Sequence, residues 1–313
     1  MERGVTGRRL RRRHALQAPA RNVMPSNLLP LVSVVSVLSA LFAWCYWPTI
    51  VGLSKEWQQN SDYSAGQLVP LVALFLLWRD RKILGTCVLR PCWWGGVALI
   101  ILAQAARFYG LLFMFESADR YSLVLTIGGL VLMVAGWQVV RRASWILLFL
   151  VLMIPFPGRV HNLISGPLQK MATSGSVFLL EVFLPRVSQQ GNVVVLDENT
   201  RIAVVEACSG LRMLTAFIIV AAFVAYMVRR PRLQKGILLL SSVPVAVMCN
   251  ILRILATAVL MLVVSADVAQ KFFHDFAGFV MMPAAVLLMF GELRLMDWLI
   301  VPEPVAPPER TSA

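Results

Sequence analysis

The chain has 313 residues, of which 58% are hydrophobic and 14% charged, with a mean hydropathy of +0.74. A soluble domain carries roughly a quarter charged residues, so this composition excludes a water-soluble globular enzyme and makes the bilayer the solvent for most of the chain. The net charge of +13 is uneven: residues 1–27 hold seven arginines against one glutamate, among them Arg8, Arg9, Arg11, Arg12 and Arg13.

Such a basic tail ahead of an apolar span lies against the anionic inner leaflet and keeps that end inside, rather than binding nucleic acid. No small-residue cleavage site follows, so the first apolar stretch reads as an uncleaved anchor. Apolar segments then follow at 28–47, 64–78, 93–115, 119–140, 144–156, 210–228, 236–265 and 276–293. They are read as membrane spans, the fifth irregular in being short and the seventh in running to about 30 residues. Arg79, Arg81, Lys82 and Arg90 follow the second; Arg141 and Arg142 the fourth; Arg229, Arg230, Arg232 and Lys235 the sixth; Arg294 the eighth. The opposite short loops hold only Lys55, Arg120 and Lys271, beside Glu56, Asp62, Glu116 and Asp119. The positive-inside rule places both termini in the cytoplasm and requires an even number of crossings.

The fold class expected is an all-α polytopic membrane protein with about eight transmembrane helices, and a small external amphipathic helix and β-hairpin between spans five and six. The fifth span is short and ends at Pro155-Phe156-Pro157, which breaks a helix on the outer side. Residues 159–184 mix apolar and polar positions as a helix lying on the membrane surface does. Residues 191–206 read as two strands around an Asp-Glu-Asn turn. The seventh segment is expected as one long helix with Pro244 inside it. The parts are then a basic cytoplasmic tail (1–27), spans one to five (28–156), the external loop (157–207), the membrane region of spans six to eight (208–296) and a Pro-rich tail (297–313).

Five cysteines without metal-ligand spacing and three histidines give neither a metal site nor a disulfide framework, and no cofactor is expected. Cys208 stands apart. It lies in Glu206-Ala-Cys-Ser-Gly-Leu-Arg212, at the start of the sixth span, where helix N–H groups and the dipole favour thiolate. Cys45 and Cys249, within apolar segments, read as small membrane-helix residues. Arg253, in Asn250-Ile-Leu-Arg253, falls about 26 Å along the seventh segment from Gly236. A charge at that depth costs at least ~2.5 kcal/mol unless it pairs or reaches water. It either snorkels outward or serves a function, and the neighbouring Asn250 favours function. His274 precedes the eighth span on the same outer side; His161 is equally external, but no neighbour in sequence argues for it.

A thiol, an imidazole and a guanidinium are the parts of cysteine acyl transfer. On spacing alone, three unrelated residues on adjacent helices are an equally open reading.

At these residues the sequence resembles the exosortase/archaeosortase family of membrane cysteine transpeptidases. Glu206-Ala-Cys208-Ser-Gly-Leu-Arg212 is similar to the family's cysteine motif, Asn250-x-x-Arg253 to its arginine motif and His274-x-x-x-Gly278 to its histidine motif, in family order. The likeness covers about residues 145–290 well and the first four spans more loosely. It implies Cys208 as nucleophile, His274 as acid/base and Arg253 as stabilising cation, with Glu206, Arg212 and Asn250 in supporting or substrate-binding places. It also implies substrates: exported proteins with a C-terminal signal made of a Pro-Glu-Pro-type motif, a transmembrane helix and a basic end. These would be cleaved through a thioester at the outer face of the cytoplasmic membrane and passed to a surface acceptor. Val301-Pro302-Glu303-Pro304 spells such a motif, but no apolar helix and basic end follow it.

Two other classes remain. A transporter for a polysaccharide or lipid precursor predicts inverted repeats and midplane polar residues on several helices, and neither is evident. A non-catalytic scaffold for exported proteins predicts that Cys208 is dispensable.

Overall fold

The computed structural model describes residues 28–184, 187–197, 200–203, 210–264, 283–284 and 286–298. Eight helices run in chain order: α1 (Leu28–Gln59), α2 (Leu68–Gly85), α3 (Trp93–Leu112), α4 (Glu116–Ala135), α5 (Trp137–Leu150), α6 (Gly158–Phe183), α7 (Leu211–Met227) and α8 (Arg232–Val263). Residues 286–298 are also helical. Between α6 and α7 lie three antiparallel strands in the order β1 (Ser188–Gln190), β2 (Val193–Asp197) and β3 (Thr200–Ala203).

The chain divides into two units, Met1–Tyr46 and Trp47–Ala313. The described part of the first is helical, with the Phe42 and Tyr46 rings 5.0 Å apart. The rest of this section concerns the second unit.

The architecture is that of a helical membrane protein. Among the described residues, Val32–Gln59, Trp93–Leu112, Glu116–Ala135 and Arg232–Met261 are long and apolar enough to cross a bilayer, with a fifth crossing if the bent pair Trp137–Met153 and Gly158–Val182 counts as one span. The sequence expectation of about eight is a larger number, and two helices show why. α2 carries Arg79, Asp80, Arg81 and Lys82 within its 18 residues, and α7 is apolar but only 17 residues long. At 1.5 Å per residue α7 spans about 26 Å, short of a ~30 Å hydrocarbon core.

α7 is apolar on all sides and buried, the pattern of a central helix. Leu211, Met213, Leu214, Phe217, Ala221, Val224 and Ala225 form one core with Leu238, Ala246 and Cys249 of α8 and with Met289 and Leu293 of the last helical stretch. Polar clasps close the end of the bundle where α7 finishes. There Tyr226 Oη donates to Asp80 Oδ2, the Arg79 guanidinium lies 5.3 Å from the Tyr226 ring centre, Arg230 pairs with Asp297 and Ser241 Oγ donates to Glu292 at 2.6 Å.

α3 and α4 pack closely through glycine. A Cβ on Gly96 would lie 2.5 Å from Met133 Cβ, and one on Gly129 2.7 Å from Ile100 Cγ1. The pair is braced by Arg107 and Asp119 at 3.1 Å and by Thr49 Oγ1 of α1 donating to Asp119 at 2.9 Å.

Several boundaries differ from the sequence reading. The fourth span, expected to 140, ends at Ala135, and α5 begins at Trp137 instead of 144. The cause is Gly136, at φ +84° and ψ 177°, a conformation essentially restricted to glycine. Arg141 and Arg142 therefore ride on α5 instead of in a loop. α1 also continues past the expected end at 47 to Gln59.

The Pro155–Pro157 break falls where the prolines indicate, and the axis turns by 81° into α6, the helix expected at 159–184. β2 and β3 pair as the expected hairpin, Val194 opposite Ile202 and Val193 opposite Ala203. β1 was not foreseen. It reaches β2 through Gly191, at φ +62°, and Asn192, and the Asn192 amide donates to Gln169 of α6 at 3.0 Å. α8 is a single helix with Pro244 inside it, as expected of the seventh segment.

Candidate active site

Asn250 and Arg253 sit three residues apart on α8, on one face of the helix. Both are buried, 1% and 3% exposed. Two contacts fix this stretch of α8 against α6. A Cβ on Gly175 would lie 2.7 Å from Ile251 Cδ1, and Ser176 Oγ donates to the Ile251 carbonyl at 3.5 Å. One turn further, Ile254 and Ala258 pack with Ala172, Val177 and Leu180 of α6 and with Val187 and Val194 of the strand region. The three-stranded sheet is thus seated at the part of α8 that bears Arg253. The sheet leads toward the cysteine motif in sequence.

The start of α7 meets the same place. Gly210 is left-handed, φ +69° and ψ −22°, and its carbonyl accepts from Leu214 N–H at 2.9 Å, starting the helix. A Cβ added there would stand 3.2 Å from Asn250 Nδ2 and 3.6 Å from Leu168 Cβ of α6. The residue two positions after Cys208 is therefore in contact range of Asn250. Gly210→Ala is expected to cost about 1–2 kcal/mol in backbone strain and to displace the Asn250 amide. Thermal unfolding in detergent and a processing assay would read both; unchanged values in both would mean that the tight approach is dispensable.

Arg212 Nε donates to the Ser61 carbonyl at 2.7 Å, and Thr215 Oγ1 donates to the Asp62 carbonyl at 2.8 Å. These bonds fasten the 3-10 turn Ser61–Gln67 onto the first turns of α7. Arg212 is half-buried there, within electrostatic range of both Arg253 and Asp62.

Among the sequence candidates, the structure sets Asn250 against Gly210, with Arg253 one turn along α8 and Arg212 in the first turn of α7, bonded to Ser61. Glu206, Cys208 and His274 lie outside the described residues.

His161 is the residue that sequence reasoning passed over. It stands on the first turn of α6, with Nδ1 2.8 Å from Tyr63 Oη and Nε2 3.9 Å from Asp62 Oδ2. Tyr63 is buried, and burial, followed by the nearby Asp62 charge, pushes its phenol up to about 12. The neutral hydroxyl is therefore favoured in the fold. Its stabilising contribution is complete below the unfolded value of 10 and is lost as pH rises through about 12. Detergent-solubilised protein should lose melting temperature between pH 10 and 12, and Tyr63→Phe should flatten that slope; an equal slope in the variant would assign it to other groups.

A family model described as transmembrane exosortase matches residues 57–291. The chain belongs to the exosortase family. The match runs from the end of α1 into the last described helix and takes in every described residue of the site above. Within this exosortase, Asn250 and Arg253 of α8 are buried, as are Gly210 and Leu211 where α7 begins. No curated protein matches the chain, and no solved structure does.

Proposed function

We propose that this exosortase is a cysteine transpeptidase or protease acting at the external face of the cytoplasmic membrane. It has eight spans and both termini inside, and the parts have the boundaries derived from sequence. Its substrates are exported proteins whose C-terminal signal comprises a short motif, a transmembrane helix and a basic end. Cys208 attacks the scissile carbonyl, His274 takes the thiol proton and returns it to the leaving amine, and Arg253 stabilises the thiolate or the oxyanion. The acylated Cys208 then passes the protein to an acceptor. Glu206, Asn250 and Arg212 support the site.

The observation that carries this reading is the contact of Gly210 with Asn250, one helical turn from the buried Arg253. It draws the cysteine-motif and arginine-motif segments together although 40 residues separate Gly210 from Asn250 in sequence. The pairing of Arg212 with the Ser61 carbonyl supports a positioning role for that residue. The buried cation also suits a membrane site better than a scaffold surface, because intramembrane charge is retained where it does work.

The test is processing in cells of a reporter carrying the C-terminal signal of an exported protein from the same cell. Wild type is compared with Cys208→Ser, Arg253→Ala and His274→Ala at matched expression and insertion. Shortening by wild type and by none of the variants supports the reading. Continued shortening by Cys208→Ser removes the nucleophile and leaves a scaffold role.

A further inference from the structure

A cleft of about 420 Å³ opens beside the 3-10 turn, lined in part by Glu56, Asn60, Tyr63, Glu116, Arg120 and His161. Its one described arginine is already bound, 2.7 Å from Glu116 and 3.6 Å from Glu56. The other polar side chains on its wall are Asn60, Ser117, Tyr63 and His161, and Asp62 stands beside the His161 ring.

The 3.9 Å between His161 Nε2 and Asp62 Oδ2 is too long for a hydrogen bond, yet short enough for the carboxylate to stabilise an imidazolium. The 2.8 Å contact at Nδ1 fixes the ring. The phenol accepts as readily as it donates, so Nδ1–H can donate to Tyr63 Oη and leave the lone pair on Nε2.

This group is tied to the cysteine segment from two sides. The turn bearing Asp62 and Tyr63 accepts bonds from Arg212 and Thr215 of α7. α6, which carries His161, also carries Leu168, whose Cβ lies 3.6 Å from where a Gly210 side chain would begin. His161 and Leu168 are seven residues apart, about 10 Å along the helix.

Resting on the thioester reading above, we infer that His161 is a second general base, which activates the acceptor that resolves the acyl-enzyme, and that the cleft admits this acceptor. The acceptor is a protic nucleophile, X–H: a hydroxyl, an amine or water. Its lone pair attacks the thioester carbonyl carbon and forms the C–X bond while its proton passes to His161 Nε2. The tetrahedral intermediate collapses, the C–S bond breaks and Cys208 departs as thiolate. The imidazolium, held by Asp62 and Tyr63, then returns its proton to water or to the thiolate.

The full-length enzyme in lipid vesicles is mixed with a substrate that carries its intact C-terminal signal and quenched in acid at timed intervals, so that covalent acyl-enzyme and released product are counted separately. His161→Gln is expected to form the adduct within about threefold of the wild-type rate and to release it on the order of 10²-fold more slowly. Added hydroxylamine, a nucleophile that needs no base, should restore release from His161→Gln. Tyr63→Phe keeps the ring and removes only the hydroxyl; its release should slow about tenfold with adduct formation unchanged. Release from His161→Gln at the wild-type rate overturns the assignment. So does loss of adduct formation in a His161→Gln protein that melts like wild type, which would make His161 part of acylation. Absence of any adduct in wild type overturns the thioester reading, and this assignment with it.

Discussion

Cys208→Ala is expected to leave no signal cleavage above background, since removal of a nucleophile costs on the order of 10⁶-fold, and Arg253→Ala should lower cleavage by on the order of 10²–10³-fold. Arg253→Lys is the more discriminating variant. It keeps the charge but loses the planar fork of donors that can hold two oxygens at once. At a side chain 3% exposed, a lysine ammonium cannot reach the same partners without moving its stem. Arg253→Lys is therefore expected to fall close to Arg253→Ala. Full activity in the lysine variant would reduce the role of this residue to charge alone, and full activity in the alanine variant would remove it from the mechanism. Because deleting one member of a buried charged pair can itself cost about 3–5 kcal/mol, melting in detergent belongs beside each rate.

Gly136→Ala is expected to be the most damaging substitution away from the site. The backbone there is at φ +84° and ψ 177°, and a Cβ would stand 1.8 Å from the Arg90 carbonyl oxygen. The conformational strain alone costs about 1–3 kcal/mol, and the overlap forces the Arg90 segment to move, adding about 1–3 kcal/mol more. Against a typical stability of about 5–15 kcal/mol, the variant should insert poorly or unfold well below wild type. Size-exclusion profiles and thermal unfolding in detergent would measure it. A wild-type melting curve would show that the Arg90 segment yields freely.

Much of the fold was legible because membrane helices obey a few strong rules. Apolar runs announced the helices, Pro155 and Pro157 announced the turn into α6, and the short β-branched runs on either side of Asp197-Glu198-Asn199 announced two strands. The α4–α5 boundary was misplaced because hydropathy does not register the backbone angle of one glycine: Trp137, Val139 and Val140 continue the apolar pattern straight through Gly136. The strand Ser188–Gln190 is polar and exposed, so it offered no period-two signal.

The candidate site was legible to the extent that its chemistry is local. Asn250 and Arg253 stand out as polar residues in an apolar run. His161 does not, because everything that gives it meaning comes from Asp62 and Tyr63, nearly a hundred residues earlier. The one signal available was its place in the first turn after a Pro-Phe-Pro break, beside a loop rich in polar groups.

The bonds that fasten the 3-10 turn have a bearing on biogenesis. Tyr63 meets His161 across 98 positions, Arg212 meets Ser61 across 151, and Thr215 meets Asp62 across 153. Contacts of such separation form late, after the entropy of closing long loops has been met. The translocon will have released the first five helices long before Arg212 emerges to clasp the turn. Until then the 3-10 turn stays unlatched, so a nascent or truncated chain lacking α7 would carry its earlier helices without the bonds that seat this turn.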